Sequence, residues 1–453
     1  KPMKENPMLQ KIRPTVFQII FFSFLFPSWE VVYEFPQGLT LLDISCTSPT
    51  DVWAVGLNEM TNTNQIYYSN DGGESWELQY SDMDLSIFMV GLDMADNSTG
   101  FIAGVYMVWF PDAAGCGAQT ANGGGSWNPI SSPDAFISNF YSVTTLNSQE
   151  SHLLGSWGMQ TTNGLFSTYD GGNSWETNSV PTAHWTVSAD FVGSEQIWVA
   201  AGIWPTDEEN STAPVQPYFH DLGIMDYENY NSDREIYEAS IWHSTNGGNS
   251  WVQQFDSNNL GYLSDIDMVN ENLGIAVGSG NNFTSQIYRT VNGGATWNQI
   301  SFSSQNQHNL IEIQMVNAND GWAMGYSPNG PGGQPGTAIL KTTDGGQSWT
   351  LLSMNEPIGL LGLSMHDEHI GYATGGNNLK VSRILKYDDG FYDGNFCALS
   401  GDVNGDGTIN ISDVVLTVNC VLGGTCSDCS DLNADGVVNV QDIILIVNTI
   451  LGN

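Results

Sequence analysis

Two stretches near the C-terminus carry the residue types that hold a hard divalent cation. In SGDVNGDGTINISD, residues 400–413, oxygen donors stand at loop positions 1, 3, 5 and 12: Asp402, Asn404, Asp406 and Asp413. Thr408 offers a backbone carbonyl at position 7, and Gly407 makes the sharp turn that brings both ends of the loop to one ion. Shifted by 29 residues, the pattern recurs as Asp431, Asn433, Asp435, Val437 and Asp442, with Gly436 at the turn. Two complete ligand sets predict two Ca2+ ions. A second group of residues suits a different chemistry. Between about residues 203 and 238, Trp204, Tyr218, Tyr227 and Tyr230 are mixed with carboxylates such as Asp226 and Glu228. Aromatic faces stack on the C–H faces of sugar rings, and carboxylates accept from sugar hydroxyls. A solvated acidic loop has the same composition, so ligand binding and surface decoration both stand. Tyr106, Trp109 and Phe110 form a smaller aromatic group, whose alternative is packing on an adjacent element.

The cation loops need short elements to position them. Each is followed by an apolar helical segment, VVLTVNCVLGG from Val414 and IILIVNTILGN from Ile443. The stripe of Val414, Val418 and Val421 with Ile443, Val447 and Ile450 is expected first as a core face and second as a docking surface. The whole segment resembles a type I dockerin, a tandem pair of calcium loops each followed by one helix. That resemblance implies a protein partner, a cohesin-type module of a scaffold or cell-surface protein. Positions 10 and 11, which bear on cohesin choice in that family, are Ile411-Ser412 and Val440-Gln441 and differ between the copies. Four of the six cysteines, Cys397, Cys420, Cys426 and Cys429, lie in or beside this segment. In an exported small domain they predict disulfide stapling of open connectivity.

The rest of the chain is organised by one eight-residue turn, S/T-x-D/N-G-G-x-S/T-W, which occurs six times. The copies are SNDGGESW from Ser69, TANGGGSW from Thr120, TYDGGNSW from Thr168, STNGGNSW from Ser244, TVNGGATW from Thr290 and TTDGGQSW from Thr342. The third residue can accept hydrogen bonds from backbone N–H groups just ahead, and the glycine pair permits positive φ. The Trp then carries a large apolar surface into the next strand. Three copies have Asn at the third place, which cannot serve as an acid or base, so the turn reads as structural. Upstream of each copy an apolar strand ends in glycine, as in Trp53-Ala54-Val55-Gly56 and Gly321-Trp322-Ala323-Met324-Gly325. Successive turns are 51, 48, 76, 46 and 52 residues apart, which apart from the 76 is the period of a four-stranded propeller blade.

The turn resembles the Asp box of β-propellers such as sialidases, xyloglucanases, sortilin-type ectodomains and photosystem II assembly factors. The fold class is therefore expected to be all-β, a seven-bladed β-propeller, with a small α-helical dockerin behind it. Blades are expected to start near residues 38, 85, 136, 183, 259, 307 and 357. The last ends in a degraded box, Lys386-Tyr387-Asp388-Asp389-Gly390, with no Trp after it. Ser28-Trp29-Glu30-Val31-Val32-Tyr33 reads like Ser75-Trp76-Glu77-Leu78-Gln79-Tyr80, so Trp29 to Phe35 is expected to close blade 7 as its outer strand. The excess length of blade 4 falls between its second and third strands. In Asp-box propellers that connection opens on the face opposite the boxes, which implies an insertion on the ligand side.

Asp and Glu outnumber Lys and Arg by 49 to 10, and beyond residue 28 the balance is 6 basic against 48 acidic, a formal charge of −42. Such a field repels nucleic acid and anionic membranes and favours divalent cations. Lys11 and Arg13 precede an apolar run from Val16 to Phe26, too short for a membrane span and suited to a signal peptide. The chain is accordingly read as exported, with a leader over residues 1–28, a propeller over 29–392 and a dockerin over 393–453. A sialidase grips its anionic substrate with three arginines, whereas only Arg234, Arg289 and Arg383 follow the leader and no RIP motif occurs. The favoured function is a non-catalytic propeller that binds a glycan or protein ligand. The alternative is a glycoside hydrolase of a polysaccharide-degrading complex, whose two carboxylates would come from the acidic insertion.

Overall fold

The computed structural model describes residues 28–61, 63–82, 87–106, 117–130, 137–157, 162–182, 185–203, 238–257, 261–280, 284–302, 308–327, 335–352, 356–377, 379–389, 401, 403, 409–422, 428–430, 432 and 438–451. Seven antiparallel four-stranded blades follow one another round a ring. Blade 1 comprises Leu39–Cys46, Val52–Asn58, Thr63–Ser69 and Glu77–Asp82. The innermost strands of blades 2 to 7 are Ile87–Met94, Ile137–Thr145, Trp185–Val192, Tyr262–Met268, Asn309–Met315 and Gly359–Met365. These starts lie within three residues of the expected ones. A single bridge, Asn139 to Val105, joins blades 2 and 3 into one sheet. Two helices, α1 (Ile411–Val421) and α2 (Val440–Leu451), pack on each other in the C-terminal segment.

The ring closes by joining head to tail. Ser28–Glu34 pairs with Ser382–Asp388 as the outer strand of blade 7, with Trp29 opposite Tyr387, as the repeat of SWE-type segments predicts. Seven apolar clusters fill the seven joints between neighbouring blades. Each box tryptophan enters the cluster shared with the preceding blade: Trp127 sits with Trp53 and Val55 of blade 1, and Trp349 with Ile275 and Val277 of blade 5. Blade 7 has no box tryptophan, and Trp29 fills that place in the joint with blade 6, beside Trp322 and Leu360. The indole thus seals hairpin to neighbour in every joint.

Every innermost strand is bulged at the same level, for example between Leu41 and Asp43 and between Leu310 and Glu312. The bulge pushes the inner strand's backbone toward the second strand. A Cβ at Gly325 would lie 1.8 Å from the Asn309 carbonyl oxygen, and one at Gly56 would lie 2.2 Å from that of Thr40. Glycine stands opposite the bulge in six blades, and at Gly56, Gly278, Gly325 and Gly375 only hydrogen fits, whereas blade 4 carries Ala201 at that place.

Candidate functional site

Of the ten predicted calcium ligands, Asp413 and Asp442 lie among the described residues; Asp402, Asn404, Asp406, Thr408, Asp431, Asn433, Asp435 and Val437 lie outside them. Asp413 and Asp442 occupy the same place in the two halves, the first turn of α1 and of α2, and both are fully buried. Each closes its loop on itself: Asp413 Oδ2 accepts the Asn410 N–H and Asp442 Oδ2 the Asn439 N–H, both at 2.8 Å. Asp442 Oδ1 also accepts the Leu432 N–H, and the Gly401 N–H donates to the Cys429 carbonyl, which ties the head of one loop to the approach of the other. A buried carboxylate in the first turn of a helix, held by backbone donors, fits calcium as the twelfth-position ligand. Among the described residues alone, no group of three or more His, Cys, Asp or Glu side chains is placed to hold a metal. Cys420 and Cys429 are both disulfide-bonded, as expected for an exported module.

The helices correct the expected core stripe. The buried side chains are Asp413, Thr417 and Cys420 on α1 and Asp442 and Ile446 on α2, while Val414, Val418, Val421, Ile443 and Val447 are only half-buried and Ile450 is exposed. These helices are apolar on nearly every face, so periodicity alone could not choose the buried one. The consequence is a solvent-facing apolar stripe that repeats at the 29-residue shift: Ile411 and Val440, Val415 and Ile444, Leu416 and Leu445, Leu422 and Leu451 are all exposed.

The expected ligand-face residues Trp109, Phe110, Trp204, Tyr218, Asp226, Tyr227, Glu228 and Tyr230 lie outside the described residues. Their flanks are placed. Ile203 pairs with Glu238 at one end of blade 4, whereas Ile197 pairs with Ser244, which opens the box, at the other. The 204–237 insertion therefore leaves and re-enters the blade at the end away from the tight turns.

The box side chains act as structural latches. In blade 3, Asp170 Oδ1 accepts the Ser174 N–H and the Thr168 hydroxyl, while Oδ2 accepts the Ser174 hydroxyl. In blade 4, Asn246 makes the same set with its amide donating to the Ser250 hydroxyl, so Asn and Asp are equivalent there. Gly171 and Gly172 have φ of +68° and +83°, as the glycine pair predicts. Side chains of the preceding blade then grip the turn's carbonyl: Gln79 on Gly123, Gln254 on Gly293 and Arg289 on Gly345. Arg289 thus has a structural role.

Sequence reasoning missed the centre of the ring. Past each bulge, alternate residues of the seven inner strands face a central channel of about 290 Å³. The upper row holds Asp43, Ser142, Ser188, Asp265 and Glu312, completed by Gly91 and Gly362. The lower row holds Ser45, Asp93, Thr144, Asp190, Asp267, Gln314 and Ser364. Each member of the lower row hydrogen-bonds the backbone of the next blade, from Ser45 accepting the Met94 N–H round to Ser364 accepting the Cys46 N–H. In the upper row Asp43, Asp265 and Glu312 accept the N–H groups of Leu92, Ile313 and Leu363. Burial pushes all six carboxyls above the usual carboxylate range, Asp93 to about 6 and Asp43 to about 8. The signal was present as a carboxyl or amide at near-constant spacing in LLDIS, GLDMA, SDIDM and IEIQM.

Residues 400–451 match the dockerin type I domain family. Domains of that family bind calcium, dock onto cohesin modules and are typically extracellular. No curated protein matches the chain. Among solved structures the chain is similar to YCF48 bound to D1 peptide, at 16% identity and a TM-score of 0.54 over 81% of this chain and 98% of that one. It is likewise similar to YCF48 from Cyanidioschyzon merolae, at 14% identity and a TM-score of 0.53 over 80% and 99%. A GH74 enzyme from Niastella koreensis is matched at 12% identity and a TM-score of 0.41 over 74% and 62%. At these identities the likeness to the YCF48 structures is one of fold alone, and it agrees with the propeller. No helix among the described residues is long and apolar enough to cross a membrane.

Proposed function

We propose that the chain is an exported, non-catalytic binding propeller, held on a cohesin-bearing scaffold or cell surface by its calcium-loaded dockerin segment. The observation that carries the tether is the duplicated apolar stripe of α1 and α2, which buried partners leave facing solvent. Exposed apolar patches rimmed by polar residues mark interaction surfaces. Two Ca2+ ions, one per loop, would order the backbone ahead of each helix and so fix the stripe's position. The ligand, a glycan or an extended protein segment, would be taken at the end of the ring where the strands Gly100–Tyr106 and Gln196–Ile203 finish. There Trp109, Phe110, Trp204, Tyr218, Tyr227 and Tyr230 supply stacking faces and Asp226 and Glu228 accept from hydroxyls. The leader over residues 1–28 and the domains over 29–392 and 393–453 complete this reading.

The tether is tested by titrating a panel of cohesin modules into the full chain with calcium, with chelator, and with the Val415→Asp/Ile444→Asp variant. Binding that survives both chelation and the double substitution would overturn it. The ligand face is tested on glycan and peptide arrays together with a reducing-sugar assay. Retention lost on Trp204→Ala/Tyr218→Ala/Tyr227→Ala/Tyr230→Ala without turnover supports the reading. Turnover abolished by Asp226→Asn or Glu228→Gln would replace it with a hydrolase.

A further inference from the structure

The inner rows bring Asp43, Asp93, Asp190, Asp265, Asp267 and Glu312, all half-buried, round one channel, and among the described residues no Lys, Arg or His lines it with them. The strands of blades 3 and 7 contribute only uncharged groups: Ser142, Thr144 and Ser364. The Cys46 thiol, hydrogen-bonded to Ser364 beside the channel, is itself held neutral by burial. Six carboxyls crowded round one half-buried channel do not all ionise together, because like charges at such close quarters repel and each has given up part of its hydration. Every one of the six spans a joint. Asp43 bonds blade 1 to 2, Asp93 blade 2 to 3, Asp190 blade 4 to 5, Asp265 and Asp267 blade 5 to 6, and Glu312 blade 6 to 7.

We propose that these six carboxyls form a proton-dependent lock on the ring: protonated, they fasten blade to blade, and as they ionise with rising pH their mutual repulsion loosens five of the seven joints. Each gives one oxygen as acceptor to the next blade's N–H; in Asp43 and Asp265 the other oxygen also accepts the N–H of the following residue, so there the proton competes with that bond. The direction follows from linkage. A carboxyl whose folded pKa lies above its unfolded value binds more protons folded than unfolded, so its contribution is complete below about pH 4 and is lost as pH rises through the folded values. With Asp93 near 6 and Asp43 near 8, the window runs from about pH 4 to about pH 8. The ring is therefore tightest in mildly acidic surroundings.

All fifteen tryptophans lie between Trp29 and Trp349, so indole fluorescence reports the propeller and not the dockerin segment. The test follows fluorescence-detected melting of the full chain with calcium at pH 5, 6, 7 and 8, beside Asp190→Asn/Asp267→Asn. The amides keep the acceptors for the Met268 and Met315 N–H groups and remove two titrating sites. The expected result is a fall of about 5 °C or more between pH 5 and pH 8 in the native chain, at least halved in the variant. A flat or rising profile, or an equal fall in both, overturns the proposal. So does a fall at pH 8 that added magnesium abolishes, since the channel would then hold a cation in place of protons. Should the variant not fold, the infrared band of protonated carboxylic acid decides on the native chain alone: its presence at pH 6.5 and loss by pH 9 support the lock, and its absence at pH 6.5 overturns it.

Discussion

His152 stands where other blades place Trp53, Phe101, Trp198, Trp322 or Tyr372, on the second strand opposite the residue that precedes the box. It behaves as their equivalent. The ring is 1% exposed, stacks on Phe191 at 4.1 Å between centroids, and bonds the Ser167 hydroxyl through Nδ1. Burial lowers its pKa to about 4, although Glu150 Oε1 lies 3.4 Å from Nε2 without the geometry of a hydrogen bond. The unfolded imidazole takes its proton near pH 6.5 and the folded one does not, so stability is present above that value and falls as pH drops toward 4. His152→Phe should flatten this acid limb, raising stability at pH 4.5 by up to about 2 kcal/mol relative to the native chain while leaving pH 8 within about 0.5 kcal/mol. Fluorescence-detected urea titrations at the two pH values measure it. A parallel shift at both would show that packing, not titration, governs the site. Together with the channel carboxyls, which weaken the ring in the opposite direction, His152 places the stability maximum between about pH 5 and pH 7.

At the level of the blade, the glycine opposite the inner-strand bulge in blades 1, 5, 6 and 7 and the turn that follows are both answers to close approach. Gly325→Ala would set a methyl group 1.8 Å from the Asn309 carbonyl, which is backbone and cannot swing aside. The expected cost is about 3 kcal/mol, read as a lowered urea midpoint with an unchanged slope; a cost below about 1 kcal/mol would mean that the bulge relaxes. Asp344→Asn, by contrast, should leave the midpoint unchanged, because Asn246 and Asn292 already hold their turns through the same acceptor to the residue four ahead. These features were legible in the sequence because very few residue types satisfy each position: Asp or Asn at the latch, and glycine opposite the bulge in six blades of seven. The channel was not. An acid alternating with apolar residues, as in Ser264-Asp265-Ile266-Asp267-Met268, reads as the wet face of a half-buried strand, and only closure of the ring turns that face inward. The dockerin helices failed differently, since Val418 and Val421 are as apolar as any buried neighbour and the choice of Thr417 and Cys420 for the interior is made by the partner helix and the disulfide.

Closure itself is a property of the whole ring, and its two fasteners differ in strength. Arg383 reaches Glu34 across the seam at 2.8 Å and Glu356 beside it at 2.5 Å, but the guanidinium is 21% exposed and its partners more so. Arg383→Gln is therefore expected to cost only about 1 kcal/mol, and less in high salt. Trp29 is different, being 5% exposed and packed against Tyr387 with ring centroids 5.5 Å apart, in the joint that has no box tryptophan of its own. Trp29→Ala should cost about 3–5 kcal/mol. Removing the strand altogether, with a chain that starts at Leu39, goes further. Ser382–Asp388 would become a free edge with unpaired N–H and C=O groups, and Trp322 and Leu360 would lose their cover. Such a chain is expected to melt earlier and to self-associate, giving species of dimer size or larger on gel filtration, whereas Arg383→Gln stays monomeric. A truncated chain that remains monomeric and melts with the native one would show that six box tryptophans suffice to hold seven blades, and that the joint between blades 6 and 7 adds nothing to the ring.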